Sequence, residues 1–350
     1  MKVWDRKNRT VTGETSIFAM TDMVHLLFPA ERLSRVYCSA TGEEFCPGRD
    51  YLHTPGSDVI LRPSGSRIPY LSENELYPPE GALFYPDPAA TAVPNSDGRN
   101  LRFDAGNFFA RMQFEVDYTA AEMAEFPVHN ADSSRLPRFR KLLQTPGASC
   151  RIVWLGDSIS EGYNASGYLN LMPFQPPFAE LTANALKEHF PARVELLNLG
   201  VNGYTSAVPL EKDDRYLASE PDLLVIAFGM NDLRNDVAGY IANLEKIISR
   251  CKARYPLAEY LLVSPMSGNP EWCYTPLAKS REMAAALDEF VKNSPADHAL
   301  ARLTALWECL LEKKSFMDLT GNGVNHPNDY GHRVLAAGVL NALFPEKFKL

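Results

Sequence analysis

Hydrophobic and polar positions follow two different rules along this chain, and the rule changes near residue 150. From Arg151 onward, apolar runs of strand length alternate with helical patterns. The runs cover 151–155, 194–199, 222–228, 259–264 and, more weakly, 299–303. Runs that are apolar throughout predict parallel strands buried on both faces by helices. Between the third and fourth runs, Val237, Tyr240, Ile241, Leu244, Ile247, Ile248 and Cys251 recur at steps of three and one, which is one helical stripe. Pro256 stops the chain soon after. These patterns predict a three-layer α/β domain with about five parallel strands.

The first 120 residues read differently. Short β-branched or aromatic runs at 33–37 and 59–61 sit among turn signals such as Thr54-Pro55-Gly56-Ser57 and Pro78-Pro79-Glu80-Gly81. Nine of the 26 prolines fall between Pro47 and Pro94, which disfavours helices there. Over 108–118, Phe114, Val116 and Tyr118 alternate with Gln113, Glu115 and Asp117, predicting one half-exposed strand. The expected organisation is a small β-sandwich-like accessory domain over 1–120, a polar, proline-bearing linker over 121–147, and the α/β domain over 148–350.

Composition narrows the class. With 350 residues, 45% of them hydrophobic, the chain can bury a sizeable core. The net charge is −8, and the two halves carry 16 basic with 19 acidic and 19 basic with 24 acidic residues, divided at Arg151. Neither half offers a basic patch, so nucleic acid and anionic membrane are poor partners. No apolar stretch approaches the ~20 residues that span a bilayer, and the N-terminus has no leader-like apolar region. The six scattered cysteines show no metal-ligand spacing, and reduced, buried thiols in a cytoplasmic protein are expected.

Ligands of open α/β sheets bind outside the carboxyl ends of the strands. The loops there are Gly156-Asp157-Ser158-Ile159-Ser160-Glu161-Gly162, Gly200-Val201-Asn202-Gly203, Gly229-Met230-Asn231-Asp232 and, before the last helix, Val324-Asn325-His326-Pro327-Asn328. Acyl transfer needs a nucleophile, a base and donors for the oxyanion. Ser158 suits the first role, since a strand-to-helix turn exposes its hydroxyl. His326 suits the second. The Ser158 and Gly203 amides and the Asn231 side chain suit the third. The plainer alternatives are Ser158 as a helix cap and His326 as a satisfied buried histidine. Asp157 reads as a structural acceptor of loop amides, and Asp232 and Asn328 as caps. His332 reads as a helix residue without metal-ligand spacing, and His25, His53, His129, His189 and His298 have no partner pattern.

These blocks resemble the SGNH, or GDSL-type, hydrolase superfamily over roughly residues 148–345. The matching residues are Gly156-Asp157-Ser158, Gly203, Gly229-Met230-Asn231-Asp232 and His326. The resemblance implies a flavodoxin-like sheet and Ser–His esterase chemistry with no metal and no cofactor. It departs in one place: family members usually carry aspartate three residues before the histidine, where this chain has Gly323. With one residue inserted, that aspartate would align with Asn322. Two substitutes stay open: Asp318 folding back onto the ring, or a backbone carbonyl near Val324.

On the rim, Asn164, Asn202 and Trp272 are candidate substrate-binding residues, with Trp272 alternatively covering the sheet edge. Domain order resembles two-domain carbohydrate acetylesterases. The expected activity is hydrolysis of short-acyl, chiefly acetyl, oxygen esters of a small molecule or oligosaccharide. A lysophospholipase or thioesterase on the same site, or a silent carbohydrate-binding relative, are the alternatives. The sequence leaves oligomeric state open.

Overall fold

The computed structural model describes residues 3–79, 90–128 and 132–350. Glu80 and Gly81 of the expected turn, and His129, lie outside them. Five parallel strands, Arg193–Asn198, Ser149–Gly156, Leu223–Ala227, Glu259–Val263 and His298–Ala301, form one sheet in that spatial order. Each apolar run lands within two residues of a strand. Glu259–Val263 and His298–Ala301 are buried at every position, as expected where helices cover both faces. The helix Val237–Arg254 buries the anticipated stripe, apart from a half-buried Ile241, and Asp236 caps it by accepting the Gly239 N–H. In chain order the sheet reads 2-1-3-4-5. The direction of winding reverses between the first and third strands, so their two loops open onto one crevice.

The N-terminal part is an antiparallel β unit. Trp4–Asp5, Thr10–Ser16, Phe114–Ala120, Met23–Cys38, Ser57–Leu61 and Leu52–His53 pair in that order, with Glu43–Glu44 added to Met23–Cys38. Two two-stranded sheets lie beside it, Ala92–Pro94 with Asn100–Arg102 and Phe18–Ala19 with Tyr70–Leu71. Two expectations need correction. The run 108–118 is not one strand: Phe108–Met112 is a short helix and the strand is Phe114–Ala120. Asp104 accepts the Gly106 N–H at 2.6 Å, turning the chain so that the helix can bury Phe109 fully. The segment 121–147 is not simply a connector, because Pro137–Gln144 is a helix that packs on the first parallel strand through Phe139 and Leu143.

The antiparallel unit and the parallel half share one core. Val11, Phe18, Val36, Phe114 and Val116 belong to the same buried cluster as Trp154, Val225 and Leu335. Burying each such side chain stabilises by roughly 1.5–3 kcal/mol, so this contact is an interior rather than a surface. Polar groups also cross it. The Lys314 ammonium donates to Glu14 Oε1 at 3.1 Å, Ser16 Oγ at 2.7 Å and the His25 carbonyl at 2.9 Å. Arg333 donates to the Thr12 and Gly13 carbonyls, both at 2.8 Å. A second apolar cluster joins Ile17, Leu71, Val93, Leu101 and Phe109 to Met317 and Val324 of the segment carrying His326. No helix among the described residues is long and apolar enough to cross a membrane. Cys38, Cys150 and Cys251 are buried as expected, whereas Cys46 and Cys273 are exposed.

Candidate active site

The first parallel strand delivers Ser158. It ends at Gly156, where a Cβ would collide with the Ser160 side chain and lie 3.0 Å from the Ala227 carbonyl oxygen. Asp157, not Ser158, is the helix cap: its carboxylate accepts the Ile159 N–H at 3.0 Å. Ser158 is therefore the first residue of the single-turn helix Ser158–Glu161, which Gly162 ends at φ +114°. Capping does not use the Ser158 hydroxyl. Its Oγ lies 2.9 Å from His326 Nε2.

His326 stands on a loop held by asparagines. Asn322 Oδ1 accepts three backbone N–H groups, from Val324, Asn325 and His326, at 2.9–3.0 Å. From the loop after the fourth strand, the Asn269 side chain donates to the Gly323 carbonyl and its backbone N–H to that of Val324. Asn328 caps the last helix, accepting the Gly331 N–H. At Gly323 the backbone φ is +79° and a Cβ would lie 2.5 Å from Phe109 Cζ. An aspartate at that position is excluded by both the conformation and the space.

The structure does not bring Asp318 to the imidazole. One carboxylate oxygen accepts the Ile17 N–H at 2.9 Å, and the other accepts the N–H and hydroxyl of Ser315 in a capping box. Asp318 thus fastens the helix Phe316–Leu319 to the N-terminal strand. Nor does a backbone carbonyl near Val324 face the ring. The partner of His326 Nδ1 is the Asn164 side-chain oxygen, at 3.2 Å. Asn164 was expected on the rim, but it is buried and its amide is engaged inside the protein, so it does not face substrate. Its signal in the sequence was indirect: the absence of aspartate at Gly323 required another partner.

Electrostatics follow from burial. Removal from water, with His332 adding to it, pushes the His326 imidazole down to about 3. His332 is a satisfied interior histidine: the Phe178 N–H donates to Nδ1, and Nε2 faces the Tyr163 carbonyl at 3.3 Å. Burial raises the Asp157 carboxyl to about 7. Among the described residues, no group of three or more His, Cys, Asp and Glu side chains could hold a metal ion.

The other donors come from neighbouring loops. Gly203 is exposed, with φ +77° and open space where a Cβ would stand. The Asn231 amide donates to the Tyr204 carbonyl at 3.0 Å, tying its loop to that of Gly203. Asp232 is no helix cap: it accepts the Ser206 N–H and hydroxyl and joins the same two loops. The exposed Asn202 donates its backbone N–H to Glu161. Trp272 is half-buried against the second apolar cluster, with its ring edge-on to Tyr274 at 5.6 Å. Tyr163 lies between His326 and the exposed Tyr168, with ring centroids 5.2 and 4.6 Å away.

Comparison with known proteins adds the family. The model of the GDSL-like lipase/acylhydrolase family matches residues 154–334, just over half of the chain. Among solved structures, the chain is similar to a two-domain esterase, CEX, described as active on acetylated mannans and co-crystallized with mannopentaose. Identity there is 22% and the TM-score 0.48, over 63% of this chain and 56% of that one. It is also similar to a catalytic mutant of Axe2, an acetylxylan esterase from Geobacillus stearothermophilus, at 17% identity and TM-score 0.46. That match covers 57% of this chain and 96% of the other. TesA matches at 22% identity and TM-score 0.40, over 56% of this chain and 98% of its own. The match thus spans little more than half of the mannan esterase's length. A search of curated proteins found no match. With the matched region running from the strand before Ser158 to the last helix, this chain belongs to the GDSL-like lipase/acylhydrolase family, a family of carboxylic ester hydrolases.

Proposed function

We propose that the chain is a serine esterase that removes short acyl groups, acetyl foremost, from oxygen esters. The observation that supports it most directly is the 2.9 Å approach of Ser158 Oγ to His326 Nε2. In this reading Ser158 Oγ attacks the ester carbonyl while His326 takes its proton. The oxyanion is met by the Ser158 and Gly203 amides and the Asn231 side chain. His326 then protonates the departing alcohol, leaving an acyl-serine. Water, deprotonated by the same ring, releases the carboxylic acid and restores the hydroxyl.

A sugar is the proposed alcohol half. Tyr163 and Tyr168 stand beside His326, and Trp272 and Tyr274 lie on the loop that Asn269 ties to the histidine loop; aromatic faces with polar neighbours suit stacking on pyranose rings. Asn202 is the polar neighbour we assign to the substrate. The N-terminal residues 1–120 act as an accessory domain to the catalytic region 148–350.

Hydrolysis of nitrophenyl esters from acetate to octanoate, by wild type and Ser158→Ala, tests the proposal. Wild type should favour acetate, with a loss of at least ~1,000-fold in the variant. A preference for octanoate overturns the short-acyl reading. Equal rates for wild type and variant across the series overturn the esterase reading and leave a binding protein. Release of acetate from acetylated oligosaccharides, but not from acetylated small alcohols, is the expected mark of the sugar.

A further inference from the structure

We infer that Asn164 is the positioning residue of this site, its side-chain oxygen doing through a neutral amide what the family does with a carboxylate. The inference rests on the esterase reading, but its geometry is independent of it. Asn164 is buried at 4% exposure. Its amide nitrogen donates to the Gly321 carbonyl at 3.1 Å and to the Gly106 carbonyl at 3.4 Å. Those two acceptors fix which end of the amide points where, since a carbonyl accepts only from the nitrogen. The oxygen is thereby turned toward His326 Nδ1, 3.2 Å away. An oxygen there can only accept, so Nδ1 carries the proton. Nε2 is left with a lone pair toward the Ser158 hydroxyl, the tautomer a general base requires.

Replacing the aspartate of a triad by asparagine ordinarily fails because the amide presents its N–H₂ to the ring and selects the wrong tautomer. Here the flanking carbonyls prevent that flip. Backbone conformation supports the same placement. Asn164 lies at φ +62°, a region that asparagine visits more readily than most residues. A Cβ on Gly321 would lie 2.7 Å from the Asn164 Cβ, so only glycine at 321 lets the two loops close. The Gly106 carbonyl comes from the N-terminal unit, which therefore helps to set the tautomer of a histidine in the other half.

A neutral partner has a cost. It orients the ring without stabilising the imidazolium by charge. The titratable groups around the ring are few. His332 opposes protonation of the ring. Glu115 and Asp329 line the same small cavity as Asn164, both with carboxyls raised by burial, and Arg333 lies near them. The Tyr163 ring lies tilted beside the imidazole, 5.2 Å from centroid to centroid.

The experiment compares wild type with Asn164→Gly, which keeps the left-handed backbone, and Asn164→Asp, which restores a carboxylate. Activity on nitrophenyl acetate and the nitrogen resonances of the His326 ring are both read. Asn164→Gly should lower kcat by on the order of tenfold or more with KM little changed. Asn164→Asp should recover much of that loss and move the acid limb of kcat/KM upward by about one pH unit or more, because a negative charge favours the imidazolium. In wild type the resonances should show Nδ1 protonated and Nε2 bare.

A proton found on Nε2 in wild type overturns the assignment, as does an Asn164→Gly enzyme within twofold of wild-type kcat with an unmoved acid limb. If wild type hydrolyses no ester faster than Ser158→Ala, the esterase reading fails instead, and the resonances still decide the role of Asn164.

Discussion

The two loops that meet at the candidate site are held in opposite ways. The turn that bears Ser158 is local: a strand, a capping aspartate, one helical turn and a closing glycine place it within seven consecutive residues, 156–162. The histidine loop is tied locally by Asn322 and is also held from afar. Its supports are Ile17 on Asp318, Phe109 on Gly323, Asn269 on Gly323 and Val324, and Asn164 on the ring itself. Two of these, Ile17 and Phe109, come from the N-terminal unit. One side of the candidate site is thus set chiefly by a short motif, and the other depends in addition on remote parts of the fold. Damage to remote residues should therefore reach His326 before it reaches Ser158.

The largest effect that separates the two is expected at the buried ion pair. Glu14→Gln leaves the Lys314 ammonium buried without its anion, and loss of one partner of such a pair costs roughly 3–5 kcal/mol. Denaturant unfolding should show that loss; a change below about 1 kcal/mol would mean that this ion pair does not hold the two halves together.

His326, the proposed base, should also show itself in pH dependence. Burial disfavours the imidazolium and lowers the His326 pKa to about 3, so the neutral, proton-accepting ring persists as pH falls below 6.5. The acid limb of kcat/KM should lie well below pH 6.5. A limb at or above 6.5 would show that the ring is solvated or charge-stabilised in the working enzyme.

Gly323→Ala strikes the histidine loop directly, by strain at φ +79° and by contact with Phe109. About 1–3 kcal/mol of stability should be lost, with a fall in kcat greater than for Gly147→Ala, at φ +75° in open space. Equal kcat in the two variants would remove the link between Phe109 and the base.

The smallest effect is expected at Asp318. Asp318→Asn weakens a capping box and should cost about 1 kcal/mol in thermal or denaturant unfolding, with kcat close to wild type. A hundredfold drop would return Asp318 to the role of orienting acid.

Legibility in the sequence tracks the same division. The five parallel strands, the helix over Val237–Arg254 and the loops bearing Ser158, Gly203, Asn231 and His326 were all readable, because burial on both faces leaves continuous apolar runs. The N-terminal reading was coarser. Alternation placed one strand over 108–118, which overlaps the strand Phe114–Ala120, but nothing periodic separated off the helix Phe108–Met112, whose form depends on Asp104 turning the chain and on a place for Phe109. Asp318 looked available as an acid until Ile17 and Ser315 were seen to occupy both its oxygens.

The sequence alone determined the sheet, the order of its loops and the residue types that meet at the carboxyl ends of its strands. These are encoded locally, by hydrophobic period and by short motifs at strand ends. Only the tertiary structure decided what holds the histidine. Its partner is 162 residues away along the chain, and the amide's orientation depends on one carbonyl of the histidine loop and one of the N-terminal unit. A hydrogen bond between groups so far apart leaves no periodic trace in the sequence. The missing aspartate at Gly323 announced that some other group was needed, and folding chose Asn164.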